Sequence, residues 1–173
     1  MMADSSRPAP YVSLRHARTG RVGGEGRLPA GWEGEHAAEL RVVDIGSAAG
    51  QSSIVVRFTF AGDMPGDYAG LCLGPHLSAQ GESVVALSAR ANLDEIDNVA
   101  AAFIIVREWR EGGEFVRQSM CALDPRGAPR TARIDHQVGG DGRVVRPVLL
   151  TKRASPRPGS ATVTLTGLAF GEV

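Results

Sequence analysis

Ser53-Ile54-Val55-Val56-Arg57-Phe58-Thr59-Phe60 alternates strictly: Ile54, Val56, Phe58 and Phe60 fall on one side, Val55, Arg57 and Thr59 on the other. A period of two over eight residues is the pattern of a strand with one face in a core. The stretch Ala102–Arg110 (AFIIVREWR) is apolar on both faces over its first half, which predicts a strand inside a sheet and covered on both sides. Gly112-Gly113 follows it and predicts a tight hairpin into Glu114–Cys121. Working outward, strands are expected at Leu40–Ile45, Tyr68–Leu73, Ser83–Asn92, Thr131–Val138, Arg143–Thr151 and Ser160–Phe170. Gly139-Gly140-Asp141-Gly142 reads as another hairpin turn, and Ser155-Pro156-Arg157-Pro158-Gly159 as an irregular loop.

Helical periodicity is scarce. Its best instance, Leu93–Ala102 (LDEIDNVAAA), is short, and 22 glycines and 10 prolines punctuate the chain. A doubly wound α/β fold needs helices between its strands. The expectation is therefore an all-β protein, a jelly-roll-like β-sandwich of about nine or ten antiparallel strands. No internal repeat of fixed period is visible. Residues 1–12 are expected to be a flexible N-terminal arm, and residues 13–173 a single sandwich domain.

The 173 residues carry 19 basic and 19 acidic side chains, so the net charge is zero. That argues against nucleic acid as a general partner and against electrostatic binding to anionic lipid. No run of ~18 apolar residues is present, so membrane insertion is not expected. Met1–Pro10 lacks the apolar stretch of a secretory signal. The chain is expected to be made in the cytoplasm without a signal peptide, and to stay there or leave by assembly into a particle and lysis.

Gly20–Gly26 (GRVGGEG) has no Lys-Ser/Thr after it and reads as a loop, not a phosphate cradle. Cys72 and Cys121 form no CxxC pair, so thiols are expected rather than a zinc site or a bridge. His16, His36, His76 and His136 are scattered and read as surface or turn residues. The cluster Asp94, Glu95 and Asp97 reads as a solvated loop or short helical turn. No Gly-x-Ser-x-Gly elbow and no carboxylate pair stands out, so no catalytic residue and no enzyme activity is expected.

One constellation points to binding. Phe103, Ile105, Arg107 and Trp109 line up on one face of their strand. An indole stacks on the apolar face of a sugar, and a guanidinium bonds hydroxyls or carboxylates. A core or rim tryptophan is the competing explanation. Trp32 is expected to plug one end of the sandwich. Arg57 and Arg146 lie mid-strand in apolar surroundings, where an arginine must pair with a carboxylate or face a wet groove. Trp109, Arg107, Arg57 and Arg146 are the candidate ligand contacts, and no metal ligand is proposed.

Several segments, in order, resemble the jelly-roll modules of phage tail and fibre proteins. They are Gly20–Gly24 with Leu28-Pro29-Ala30-Gly31-Trp32, Val42–Gly46, Ile54–Phe58, Gly81–Ala89, Arg146–Leu149 and Leu168–Val173. The resemblance implies a carbohydrate-binding-module-like jelly roll on a phage or phage-like particle such as a gene transfer agent. There it would recognise host cell-surface or capsular polysaccharide as part of a spike or fibre. The alternative is a structural spike base or adaptor that holds other particle subunits without touching sugar. A homo-oligomer, trimer or pentamer, is expected in either role. No cofactor is implied beyond the structural calcium that such sandwiches often hold, and no run of closely spaced acidic residues demands one here.

Overall fold

The computed structural model describes residues 20–21, 32–35, 39–48, 51–60, 62, 66–74, 76–124 and 129–173, with side chains from residue 54 onward. The expected arm at 1–12, His16, His36 and the side chain of Trp32 lie outside the described residues. Among those described, no residue is helical and twelve strands form. They are β1 (Gly20–Arg21), β2 (Trp32–Glu35), β3 (Glu39–Ala48), β4 (Gln51–Phe60), β5 (Tyr68–Leu73), β6 (Leu77–Ala79) and β7 (Val84–Asp97). The others are β8 (Val99–Arg110), β9 (Phe115–Leu123), β10 (Arg130–Gln137), β11 (Arg143–Arg153) and β12 (Gly159–Glu172).

One sheet has the order β1-β3-β4-β12-β7-β10; the other runs β2-β5-β11-β8-β9, with β6 beside β11. Every pairing is antiparallel. Within them β4 pairs β12, β5 pairs β11, β7 pairs β10 and β8 pairs β9. That is a long antiparallel ribbon bent at the β8–β9 hairpin and wrapped across two sheets, which defines a jelly roll.

The alternation works as the sequence predicts. Ile54, Val56, Phe58 and Phe60 are buried, while Val55, Arg57 and Thr59 are half-buried on the outside. They meet Leu87, Ile104, Val106, Leu149, Val163 and Leu165 between the sheets. β8 is interior, flanked by β11 and β9, and Ala102, Ile104, Ile105 and Val106 are all buried. Pro147 sits within β11, where it lacks the N–H of a ladder bond. It is tolerated because β6 pairs residues up to Val145 and β5 begins at Val148, so the gap between them falls on Pro147.

Three expectations are corrected. Leu93–Ala102 is not a loop or helical turn: β7 runs to Asp97, β8 starts at Val99, and Asn98 alone joins them at φ 54°. Pairing of Leu93 with Val163 and Asp94 with Thr162 decides the matter, since tertiary contacts override weak local preference. Gly139–Gly142 is not a hairpin, because it links β10 of one sheet to β11 of the other. Turn residues signal a reversal but not which sheet the chain enters. The short strands β1, β2 and β6 were not anticipated, and Gly20–Arg21 falls in the glycine-rich stretch read as a loop.

Candidate functional site on the outer face of one sheet

Register places the candidate residues. On the outer face of the β2-β5-β11-β8-β9 sheet, Trp109 stands opposite Val144, Arg107 opposite Arg146, Ile105 opposite Val148 and Phe103 opposite Leu150. Cys72 lies beside Val148, Met120 beside Ile105 and Gln118 beside Arg107. Trp109, Arg107 and Arg146 therefore lie on one side of the sheet, with Arg146, Cys72, Ile105 and Val148 buried there.

Trp109 is half-buried at the end of β8. Its ring centroid is 6.3 Å from that of His76 and 6.3 Å from that of Phe115, edge-on in both cases. Edge-to-face pairs set positive ring edges against negative faces, which fixes the orientation of the indole. An open pocket of about 460 Å³ borders this cluster, lined by His76, Ser78, Trp109, Arg110, Glu111, Gly113 and Val144. The Gly112-Gly113 turn shapes its rim, with Gly113 at φ 91° and its N–H bonded to the Arg110 carbonyl at 2.8 Å.

One row inward from Trp109 are the two arginines. Arg107 donates from Nε to Gln118 Oε1 at 3.2 Å, and Arg146, only 7% exposed, donates from Nε to the Gly74 carbonyl at 3.3 Å. Beyond them Cys72, Ile105, Val148 and Leu150 form a small apolar cluster with Phe103 packed on it. Arg57 is elsewhere. It lies on the outside of the opposite sheet and pairs with Glu95, whose carboxylate also accepts from Thr162 Oγ1 at 3.1 Å. Of the two environments the sequence allowed Arg57, the carboxylate is the one realised.

The structure also holds a buried polar cluster that the sequence reading missed. Glu108, on the inner face of β8, is 0% exposed. Its Oε2 accepts from Arg117 Nε and His136 Nε2, each at 2.9 Å, and its Oε1 accepts from Gly139 N at 3.1 Å. Arg143 Nε lies 3.4 Å from Oε1. His136 Nδ1 is 2.7 Å from Ser119 Oγ. A neutral ring with its proton on Nε2 satisfies both contacts: it donates to Glu108 and accepts from Ser119. Burial by itself pushes the Glu108 carboxyl up, but the hydrogen bonds from Arg117, His136 and Gly139, with the Arg117 charge, outweigh it and hold the group below the usual carboxylate range.

His136 is thus a correction, since it is buried rather than a surface or turn residue. The signal was present in the alternation. Ala132, Ile134 and His136 share one face of β10, and Ala102, Ile104, Val106 and Glu108 share one face of β8. The Ser119, His136 and Glu108 chain has the connectivity of a hydrolase triad. Here, however, the histidine is packed between the sheets and the carboxylate is already saturated by arginines and a backbone amide. This is an internal brace at one end of the sandwich. Neither Cys72, which is buried, nor Cys121, which is half-buried, forms a disulfide among the described residues. Among the described residues no cluster of histidine, cysteine and carboxylate groups could hold a metal ion, and no helix is long and apolar enough to cross a membrane.

With this geometry in hand, comparison with known proteins is informative about architecture. No family model matches the sequence, and no curated protein matches it. Solved structures do. The chain is similar to the enzymatically active domain of tailspike protein 4 of bacteriophage CBA120, at 9% identity and TM-score 0.51, over 83% of this chain and 20% of that one. It is similar to the arabinose-bound GH51 α-L-arabinofuranosidase MgGH51, at 10% identity and TM-score 0.56, over 98% of this chain and 27% of that one. The C-terminal family 22 carbohydrate-binding module of Clostridium thermocellum Xyn10B aligns at 12% identity and TM-score 0.44, over 95% of this chain and 97% of that one. The first two, each above TM-score 0.5, share the β-sandwich architecture described above. The chain spans about a fifth and a quarter of the first two chains, each a far larger protein.

Proposed function

We propose that this chain is a non-catalytic carbohydrate-binding module whose site is the outer face of the β2-β5-β11-β8-β9 sheet, at its Trp109 end. The observation that carries the proposal is Trp109 itself, held edge-on between His76 and Phe115 beside an open pocket of about 460 Å³. A pocket of this size is at the small end for ligand sites and suits one or two sugar units. Arg107 and Arg146 supply polar contacts one row away. The fold supports the same reading, because a similar sandwich, at TM-score 0.56, belongs to an arabinose-bound α-L-arabinofuranosidase.

The setting we propose is a spike or fibre of a phage or phage-like particle, such as a gene transfer agent, that meets host cell-surface or capsular polysaccharide. Its support is the sequence resemblance and the likeness to part of a bacteriophage tailspike chain. Single sites of this kind bind weakly, and several copies on one particle raise the effective concentration. The test is binding of the purified protein to a panel of bacterial capsular polysaccharides and lipopolysaccharides, with Trp109→Ala in parallel. Selective binding lost on that substitution is the expected result. Selective binding that survives it removes the site from this face. No binding to any glycan, even with the protein arrayed on beads, overturns the proposal in favour of a structural adaptor.

A further inference from the structure

Two strands end the described sheets on the same side of the sandwich. β10 ends one and β9 the other, and they lie against each other through Arg117 with Gln137 and Ser119 with His136. An edge strand leaves the N–H and C=O of every second residue free to pair with another chain, and proteins guard such edges with charge, proline or a bulge. β10 is guarded by charge: its outward residues Thr131, Arg133, Asp135 and Gln137 are all exposed, and Arg133 bonds Asp135 at 2.7 Å. β9 is guarded by a bulge, and only at its start, where Glu108 faces Arg117 but Trp109 faces Phe115. From Arg117 to Leu123 its pairing with β8 is regular and no proline occurs. Among the described residues no strand pairs with its second edge.

The single charge in that regular stretch is engaged on the inner side. Arg117 donates from Nε to Glu108 at 2.9 Å and from Nη2 to the Gln137 carbonyl. The inner row continues with Ser119 and Cys121, both small and half-buried. The outer row is Gln118, Met120 and Ala122, all exposed and none charged. Met120, 52% exposed, is the large apolar side chain of that row, and it stands at the midpoint between Arg117 and Leu123. An edge with an apolar centre, neutral flanks and a straight ladder has the features that invite pairing rather than those that prevent it.

We infer that β9 pairs antiparallel with β9 of a second copy of this chain, about a two-fold axis through Met120. In that register Arg117 faces the partner's Leu123, Gln118 faces the partner's Ala122, Ser119 faces the partner's Cys121, and Met120 faces the partner's Met120. No like charges meet across the seam, small side chains meet small ones, and the two thioethers, soft and adaptable, cover each other. The strand is therefore its own complement, which is what an isologous interface requires. Such an axis stands perpendicular to the sheet. It closes the assembly at two copies and keeps both outer faces on the same side. The pairing stands apart from the carbohydrate-binding reading, to which it adds two Trp109 pockets open to one polymer.

Sedimentation velocity on the full chain, from about 1 μM to about 0.1 mM, tests this. One strand pair is at the small end for a specific interface, so the mass is expected to rise from one copy towards two across that range. Met120→Glu and Met120→Lys each set two like charges face to face on the axis, and each is expected to raise the dissociation constant at least tenfold. Met120 is exposed, and circular dichroism checks that both variants are folded. Mixed in equal amounts, the two variants are expected to dimerise again, because opposite charges then face each other. That rescue is peculiar to a residue that meets its own copy. A single-copy mass at every concentration overturns the inference, and so does a mass of three or more copies. Dimers that neither substitution weakens overturn the β9 edge as the interface. Dimers that both weaken and that mixing does not restore overturn the axis at Met120.

Discussion

Replacing Glu108 with glutamine is the most searching test of the buried brace. The side chain keeps its volume, so no cavity opens and the effect is purely polar. The carboxylate is 0% exposed and faces four donors: Arg117 Nε and His136 Nε2 at 2.9 Å on one oxygen, Gly139 N at 3.1 Å and Arg143 Nε at 3.4 Å on the other. A glutamine offers one oxygen and one amino group, so whichever way it turns, two donors meet another donor. Each buried donor left unsatisfied costs about 1–3 kcal/mol. Water relieves part of this, because the Arg117 side chain is 47% exposed, whereas that of His136 is 2% exposed. The expected loss is about 3 kcal/mol, a large share of the ~5–15 kcal/mol of a typical domain. Urea unfolding followed by far-ultraviolet circular dichroism measures it. With a slope of about 2 kcal/mol per molar, the midpoint should fall by about 1.5 M. A fall below about 0.3 M with the slope unchanged refutes the brace. His136→Ala added to Glu108→Gln should cost less than the sum of the two singles, since both act on one network.

Further outcomes are expected from the same structure. Because the folded Glu108 carboxyl titrates below the usual range, the unfolded chain takes up the proton first as pH falls. Its contribution is full above the ordinary carboxylate value near 4.3 and is lost as pH drops through the lower folded value, so urea midpoints should decline on that acid limb, less steeply in Glu108→Gln. Asn98 donates from Nδ2 to the Ser155 and Arg157 carbonyls at 3.0 and 2.8 Å, and Asn98→Ala should cost about 2 kcal/mol in chemical unfolding. Asn98→Gly, which accepts the positive φ freely, isolates the hydrogen-bond share. A methyl group on Gly159 would sit 2.5 Å from the Asp97 carbonyl oxygen and 2.8 Å from Asn98 Cβ, so Gly159→Ala should destabilise by about 1–3 kcal/mol in the same assay. Arg57→Ala removes an exposed ion pair and should shift stability by less than about 1 kcal/mol while leaving glycan binding unchanged.

The strands that define the sandwich were legible because one face of each is buried. Tyr68–Leu73 coincides with β5, the period-two row of β4 points inward, and β8 is an interior strand, as read. β12 was harder. Gly167, at φ 64°, marks a bulge that resets the alternation, so Leu165 and Leu168 are both buried although three positions apart. The face bearing Trp109 and Arg107 was legible from one strand alone. Arg146 joined it only through register, and Arg57 left it for the same reason: alternation gives a side, never which sheet the strand enters. Glu108 and His136 were passed over because charged residues were weighed as surface. Their inward positions follow once the same alternation is applied to polar residues.

The wrapped ribbon has a consequence for how this chain comes to be folded. Of its four rungs, only the β8–β9 hairpin joins neighbours in sequence; Leu87 must find Ile134, Leu71 must find Leu149, and Ile54 must find Leu165. Distant pairings of this kind place a domain among the slow folders, on the millisecond-to-second scale. β12 is moreover the middle strand between β4 and β7. Until it has left the ribosome, both of those strands present an open, largely apolar edge, the kind of surface that invites intermolecular pairing. Expression should therefore be most vulnerable to aggregation during synthesis, and a chain truncated in the Ser155–Pro158 loop should be insoluble, although every residue it loses lies away from the Trp109 pocket.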